Sequence, residues 1–415
     1  MSRHSFDFGP AGQVQVMSAW TPAQVKTELE WGLEHFSEVL PKDLGTRILI
    51  KPNMNNDLGA LIGNSTDLRV LCSLIEALKN RGYHSIQVAD GSNVGVHRRG
   101  IDTFARLRIN KLVPRYGVTI LDLNQDGGVP VPLQAGARPH IARAVMDAEF
   151  LISVPKIKTH AEAGMSCALK NWVGICTGQD KREMHRDLGR NIMAINEVVK
   201  PDLILVDGLV GMEGNGPGDG EPFRLGHLMM STEAFTNDVV ACRLVGMPID
   251  RVPYLEHAID AGLVSQDLIE QSAERVPLLR QIRLAPQRSR LAELSEARSL
   301  NWLKLAVRPL VDNPKINGLA YKAGIIQDRY SLKDDSIIGL RLLKDKCDDC
   351  GACAEVCPTH LSAEEIGVKT EPEDCIQCLY CWWACPQEAL ELEGDLHFME
   401  AHATRYKEQV EALCS

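Results

Sequence analysis

No stretch of this 415-residue sequence comes near the ~20 consecutive apolar residues that a bilayer-spanning helix needs, so no membrane span is expected. The opening MSRHSFDFGP lacks the apolar core of a secretory signal, and a cytoplasmic protein is the resulting expectation. Basic charge does not dominate. Lys and Arg number 45 against 55 Asp and Glu, net −10, which excludes the broad positive footprint of a general nucleic-acid binder. Neither G-x-x-x-x-G-K-[ST] nor G-x-G-x-x-G after a strand occurs, so ATP, NAD and FAD have no motif to receive them. What is present is ordinary globular composition, 45% hydrophobic and 24% charged, which excludes disorder as the main state. The length predicts two or three domains.

The 13 cysteines lack the spacing of a secreted disulfide scaffold, because eight of them crowd between Cys347 and Cys385. They form two nearly superposable runs, Cys347-x2-Cys350-x2-Cys353-x3-Cys357-Pro358 and Cys375-x2-Cys378-x2-Cys381-x3-Cys385-Pro386. Three thiolates spaced by two residues can wrap one face of an iron–sulfur cubane, while the fourth points away and reaches the neighbouring cluster. The expected ligands are therefore Cys347, Cys350, Cys353 and Cys385 for cluster one, and Cys375, Cys378, Cys381 and Cys357 for cluster two. Zinc would favour two separated ligand pairs, and disulfides are disfavoured in a reducing compartment. Residues 341–393 resemble a two-cluster bacterial ferredoxin, so two [4Fe–4S] clusters are expected. Trp382 and Trp383 are bulkier than usual there; they either shield cluster two or form a docking surface.

Along the rest of the chain, short apolar runs alternate with amphipathic stretches: RILIKPN, IQVADG, VTILDL, FLISVPK and LILVDGLVG read as buried strands, and 66–80, 99–113, 190–199 and 234–245 as helices. This predicts an α/β fold, a doubly wound, mostly parallel sheet, followed by a helical connector and a small α+β two-cluster ferredoxin-like domain. The expected division is an N-terminal helical segment at 1–45, a crevice domain at 46–270, a basic connector at 271–340, the ferredoxin-like domain at 341–395 and a C-terminal helix at 396–415. Residues 275–344 carry 14 basic against 6 acidic residues and 345–395 carry 13 acidic against 2 basic, so the connector could dock on the acidic module or remain a solvated face.

In a doubly wound sheet, ligands collect beyond the carboxyl ends of the strands. There the sequence places Lys51-Pro52-Asn53, Asp90-Gly91, Lys156, Lys158, His160 and Asp207, with Lys170-Asn171 and His185 nearby. Clustered lysines lower one another's pKa, which suits proton donation or an anionic substrate. Lys156, Lys158, His160, Lys170 and His185 are the catalytic candidates; Lys51, Asn53, Asp90, Asn171, Asp207, Glu213, Gly214, Asn215 and Gly216 are the substrate-binding ones. The glycine-rich stretch 211–220 reads as a tight loop offering backbone N–H groups to an anion. Glu162, Asp180 and Asp187 could instead pair with the lysines, and Cys167 is a candidate reactive thiol. These motifs, over about 46–265, resemble the domain of unknown function 362 family, which often carries a C-terminal ferredoxin module. The resemblance implies an iron–sulfur oxidoreductase role; with the clusters and the clustered lysines, the leading expectation is electron passage from an external donor protein to a small anionic substrate. The rival readings are a non-catalytic electron-transfer subunit on a partner enzyme, and a redox-neutral binding protein with structural or sensing clusters. A homo-oligomer is compatible with any of them.

Overall fold

The computed structural model describes residues 2–286, 331–368 and 374–414. In chain order the strands are β1 (Arg3–Asp7), β2 (Gln13–Ser18), β3 (Ile48–Lys51), β4 (Ile86–Asp90), β5 (Thr119–Asp122), β6 (Gly128–Pro130), β7 (His140–Ala142), β8 (Phe150–Ser153), β9 (Lys156–His160), β10 (Gly164–Ser166), β11 (Leu203–Asn215), β12 (Asp219–Ser231), β13 (Ser336–Leu342) and β14 (Leu390–Asp395). One sheet runs β1-β2-β12-β11-β8-β3-β4-β5, with β9 paired to β11 and β10 to β9. The β11-β8-β3-β4-β5 half is parallel. Both faces are apolar: in β3, Leu49 enters one core cluster while Ile48 and Ile50 enter the other. A strand buried on both sides reads as a continuous apolar run. Helices Leu68–Asn80, Leu188–Val198 and Ala234–Val245 fall where the spacing places them.

The N-terminal segment differs from expectation. Its helix, Pro22–His35, is preceded by the β1–β2 hairpin, and β2 pairs with β12, so these residues belong to the main sheet. The helix begins at a full capping box, Thr21 accepting from Gln24 N while the Gln24 side chain accepts from Thr21 N. The glycine-rich stretch differs too. It is no loop: β11 and β12 form one long antiparallel ribbon from Ile204↔Ser231 to Asn215↔Asp219.

The C-terminal module repeats itself. Non-glycine or glycine residues with positive φ recur at matched places in the two cysteine runs: Asp349 and Gln377, Gly351 and Leu379, His360 and Glu388. Each run then enters a short helix, Ala352–Glu355 or Tyr380–Ala384, and β13 pairs with β14 beneath them. Helix Phe398–Cys414 follows. The module packs on the crevice domain: Ile376, Leu379, Tyr380, Trp383, Tyr406 and Val410 share an apolar cluster with Leu61 and Leu68. Arg106, almost fully buried, reaches Asp57 at 2.6 Å and Asp334 at 2.7 Å and lies 4.5 Å over the Phe398 ring. Among the described residues, the crevice domain thus docks through Arg106 and this apolar cluster. Of the basic connector, Arg280 and Arg283 bind Glu213; residues 287–330 of that expectation lie outside the described residues.

Candidate functional site

Strands β3 and β4 end side by side, and their last residues form a buried ion pair, Lys51 Nζ to Asp90 Oδ1 at 2.6 Å. Room for it comes from two glycines. A Cβ on Gly174 would lie 2.7 Å from Asp90 Oδ1 and 2.8 Å from Lys51 Nζ, and one on Gly91 2.9 Å from Lys181 Nζ. Lys51 also donates to Asn171 Oδ1 (3.0 Å), to which Asn53 Nδ2 donates at 3.1 Å. Beyond this pair opens a cavity of about 370 Å³, bordered by Lys51, Asn53, Asp90, Lys158, His160, Lys170, Asn171, Lys181 and His185.

Two cations in this cavity, Lys158 and Lys181, are held by neutral groups. Lys158 Nζ donates to Asn53 Oδ1 (2.8 Å) and Asn64 O (2.7 Å). Burial, and then the charge of Lys170 and Lys156, pulls its pKa well below the usual lysine value. Lys170 has no hydrogen bond or ion pair among the described residues, and burial lowers it to about 8. Lys181 donates to Cys176 O (2.6 Å) and to Asn124 Oδ1, and burial brings it likewise to about 8. His160 Nδ1 accepts from Glu162 N and Ala163 N, both at 3.1 Å, so its proton is assigned to Nε2. Glu162 and Asp180 bind histidines rather than lysines: Glu162 Oε2 lies 3.0 Å from His185 Nδ1, and Asp180 Oδ2 2.6 Å from His140 Nδ1. Asp187 caps a helix at Arg190 N.

Several expected residues lie elsewhere. Lys156 is fully buried against Asp207 (2.8 Å), whose carboxylate also accepts from Asp67 N (2.6 Å). Asp207 sits within β11 rather than at its end, so this pair anchors the sheet and does not border the cavity. Glu213 is held by Arg280, Arg283 and Arg283 N. Gly214 N donates to Arg283 O and Gly216 N to Gly214 O, so these amides are satisfied within the chain; Asn215 is exposed at the ribbon's end. Only the following turn, Pro217 and Gly218, touches the cavity. Cys167 is buried, accepts from Asn237 Nδ2 (3.6 Å), and burial beside Asp238 pushes its thiol well above the ordinary value, which makes it inert. Sequence reasoning missed Lys181 and the cavity's Asn55, Asn56 and Asn93. A charged stretch such as 180–183 has the pattern of a solvated helix, and nothing in it marks Lys181.

Cys357, Cys375, Cys378 and Cys381 border one apolar space with Leu340 and Ile366, so the second run's three thiols meet the first run's fourth. Among the described residues, thiols border this space rather than converging on a single-ion site. Cys385 conversely lies close enough to Cys350 and Cys353 to act electrostatically on both. The donor set therefore fits the crossed arrangement. Cys378 also borders a second cavity with Leu61, Thr66, Tyr380 and Trp383, and Tyr380 Oη accepts from Leu68 N at 3.3 Å. Trp383 is accordingly a docking residue.

Two family models match separate stretches of the chain. Residues 48–243 match the domain of unknown function DUF362, and residues 339–386 match a 4Fe-4S dicluster domain. A thylakoid-associated protein of Synechocystis sp. is 25% identical over 231 residues, covering 53% of this chain and 69% of that protein. Among solved structures, the lactate racemase apoprotein of Thermoanaerobacterium thermosaccharolyticum aligns at 12% identity over 56% of this chain, with a TM-score of 0.36. A Thermotoga maritima protein aligns at 14% over 52%, with a TM-score of 0.32. The chain spans 60% and 56% of those two structures' lengths. No helix among the described residues is long and apolar enough to cross a membrane.

Proposed function

We propose that this chain, a DUF362 domain joined to a 4Fe-4S dicluster domain, is an iron–sulfur oxidoreductase that reduces a small anionic substrate in the crevice. The observation that carries the reading is the convergence of Lys158, Lys170 and Lys181 on one cavity whose one lining carboxylate among the described residues, Asp90, is already paired with Lys51. Two 4Fe–4S clusters, held by the crossed cysteine quartets, would supply one-electron transfers. Lys158 and Lys170 bind the anion, and Asn53 and Asn171 orient it. His160, whose Nδ1 is occupied by two backbone amides, donates a proton to the reduced substrate from its other ring nitrogen, and His185, steered by Glu162, restores protons from solvent. Electrons arrive from an external donor protein. The five cysteines outside the two quartets, Cys72, Cys167, Cys176, Cys242 and Cys414, are buried thiols, which suits a reducing compartment such as the cytoplasm. In His160→Ala, substrate reduction is expected to slow by ~10²–10⁴-fold while dithionite still reduces both clusters. Unchanged turnover would remove His160 from the mechanism, and loss of the clusters would show that it supports the fold instead.

A further inference from the structure

We propose that the crevice takes a compact dianion, and that binding it draws a proton into the site. This rests on the anion-binding reading above and specifies its charge. Lys51 is neutralised by Asp90 at 2.6 Å, but Lys158 and Lys181 hydrogen-bond only neutral oxygens and Lys170 bonds nothing among the described residues. Three lysine amines, each cationic when protonated, thus share about 370 Å³, and among the described residues no carboxylate is hydrogen-bonded to any of them. A monoanion would offset one and leave two facing each other in a partly desolvated space. A dianion, either a phosphoryl-type group or a pair of carboxylates, offsets two.

Proton coupling follows from the same crowding. Lys158 faces Lys170, Lys156, Lys51 and Asp90; Lys170 faces Glu162 and Lys51; Lys181 faces Asp90, Asp122, Lys51 and the neutral Cys176 thiol. His160 and His185 complete the ring of titratable groups. Lys170 and Lys181 stand at about 8 in the free protein. An incoming negative charge raises both, so near pH 8 a proton is taken up with the ligand. Below that pH Lys170 and Lys181 are already charged and their uptake fades. Above it the affinity falls, because the proton must be captured as well.

The test is titration calorimetry on the anaerobically purified holoprotein with sulfate, malonate and acetate, at about pH 8 and 6.5, in two buffers of different ionisation enthalpy. The expected result is sulfate or malonate bound at least roughly tenfold more tightly than acetate, with net proton uptake at pH 8 that shrinks at pH 6.5. Preference for sulfate assigns a phosphoryl-type ligand and preference for malonate a dicarboxylate; both support the proposal. Lys170→Arg, which keeps the charge but cannot titrate, should retain dianion binding and lower the proton count. Lys170→Met should weaken dianion binding roughly tenfold or more. Acetate binding as tightly as both dianions, or dianion binding without proton uptake at pH 8, overturns the proposal. Failure of all three anions to bind overturns the anion-site reading itself.

Discussion

Lys170 shows how a site can be read from one side chain. It projects from the short helix Ala168–Asn171, whose first amides, Ala168 N and Leu169 N, are held by the Asp238 carboxylate at 2.8 and 3.2 Å. Among the described residues its ammonium has no hydrogen-bond or ion-pair partner, and only the more distant charge of Glu162 favours it. That arrangement has a cost: below about pH 8 the folded protein holds a charge that burial disfavours, whereas the unfolded chain keeps the ordinary value of 10.5. The sign is then set. Lys170→Met should raise the melting temperature at pH 7, and the gain should shrink as pH rises from about 8 toward 10.5, where the parent's folded state has already lost the proton. An equal gain at all pH values would mean that the lysine is not strained. Lys158, His160 and Lys170 were legible in the sequence because unusual residues stood at a strand end and the following turn. Lys156 was grouped with them on the same pattern, yet a partner 51 residues away, Asp207, takes its ammonium into the sheet. Local spacing carries no information about such a partner.

At the level of elements, apolar runs bounded by Asp, Gly or Pro located β3, β4, β8 and the start of β11, because strands buried on both faces leave an uninterrupted signal. The β11–β12 ribbon was hidden by its glycines, which are there for close packing. Gly63 shows this from the other side: at φ +75°, a Cβ would lie 2.2 Å from the Gly211 carbonyl oxygen. Gly63→Ala should cost more than ~2 kcal/mol in denaturant unfolding, through strain and displacement of β11 together; a change below ~0.5 kcal/mol would show that the ribbon yields easily. The cysteine module was the most legible part, since ligand spacing is nearly a geometric specification. Its repeat predicts the crossing: Cys357→Ser should damage the cluster bound by Cys375, Cys378 and Cys381, seen as loss of that cluster's electron paramagnetic resonance signal. Loss confined to the other cluster would contradict the assignment.

At the scale of the molecule, the cluster-binding module is fixed against the crevice domain rather than tethered loosely. Arg106 binds Asp57 on one side and Asp334 on the other. The stretch from Asn53 to Thr66 borders both the anion cavity and the space beside Cys378, so a single loop separates the two halves of the proposed chemistry. None of this contact was visible in the sequence. Charge sums pointed to the basic connector, most of which lies outside the described residues; among those residues the contacts are made by Arg106, Trp383 and Tyr380. The most direct measurement is anaerobic reoxidation of dithionite-reduced protein, freed of excess reductant, by a panel of small anionic acids, followed by cluster electron paramagnetic resonance. The account predicts that at least one dianion reoxidises the clusters of the parent with matching formation of reduced product, and that Lys158→Met, with its clusters intact, does so at least roughly tenfold more slowly. Equal rates in parent and variant, or ligand binding in the crevice with no electron transfer from reduced clusters to any bound dianion, would contradict it.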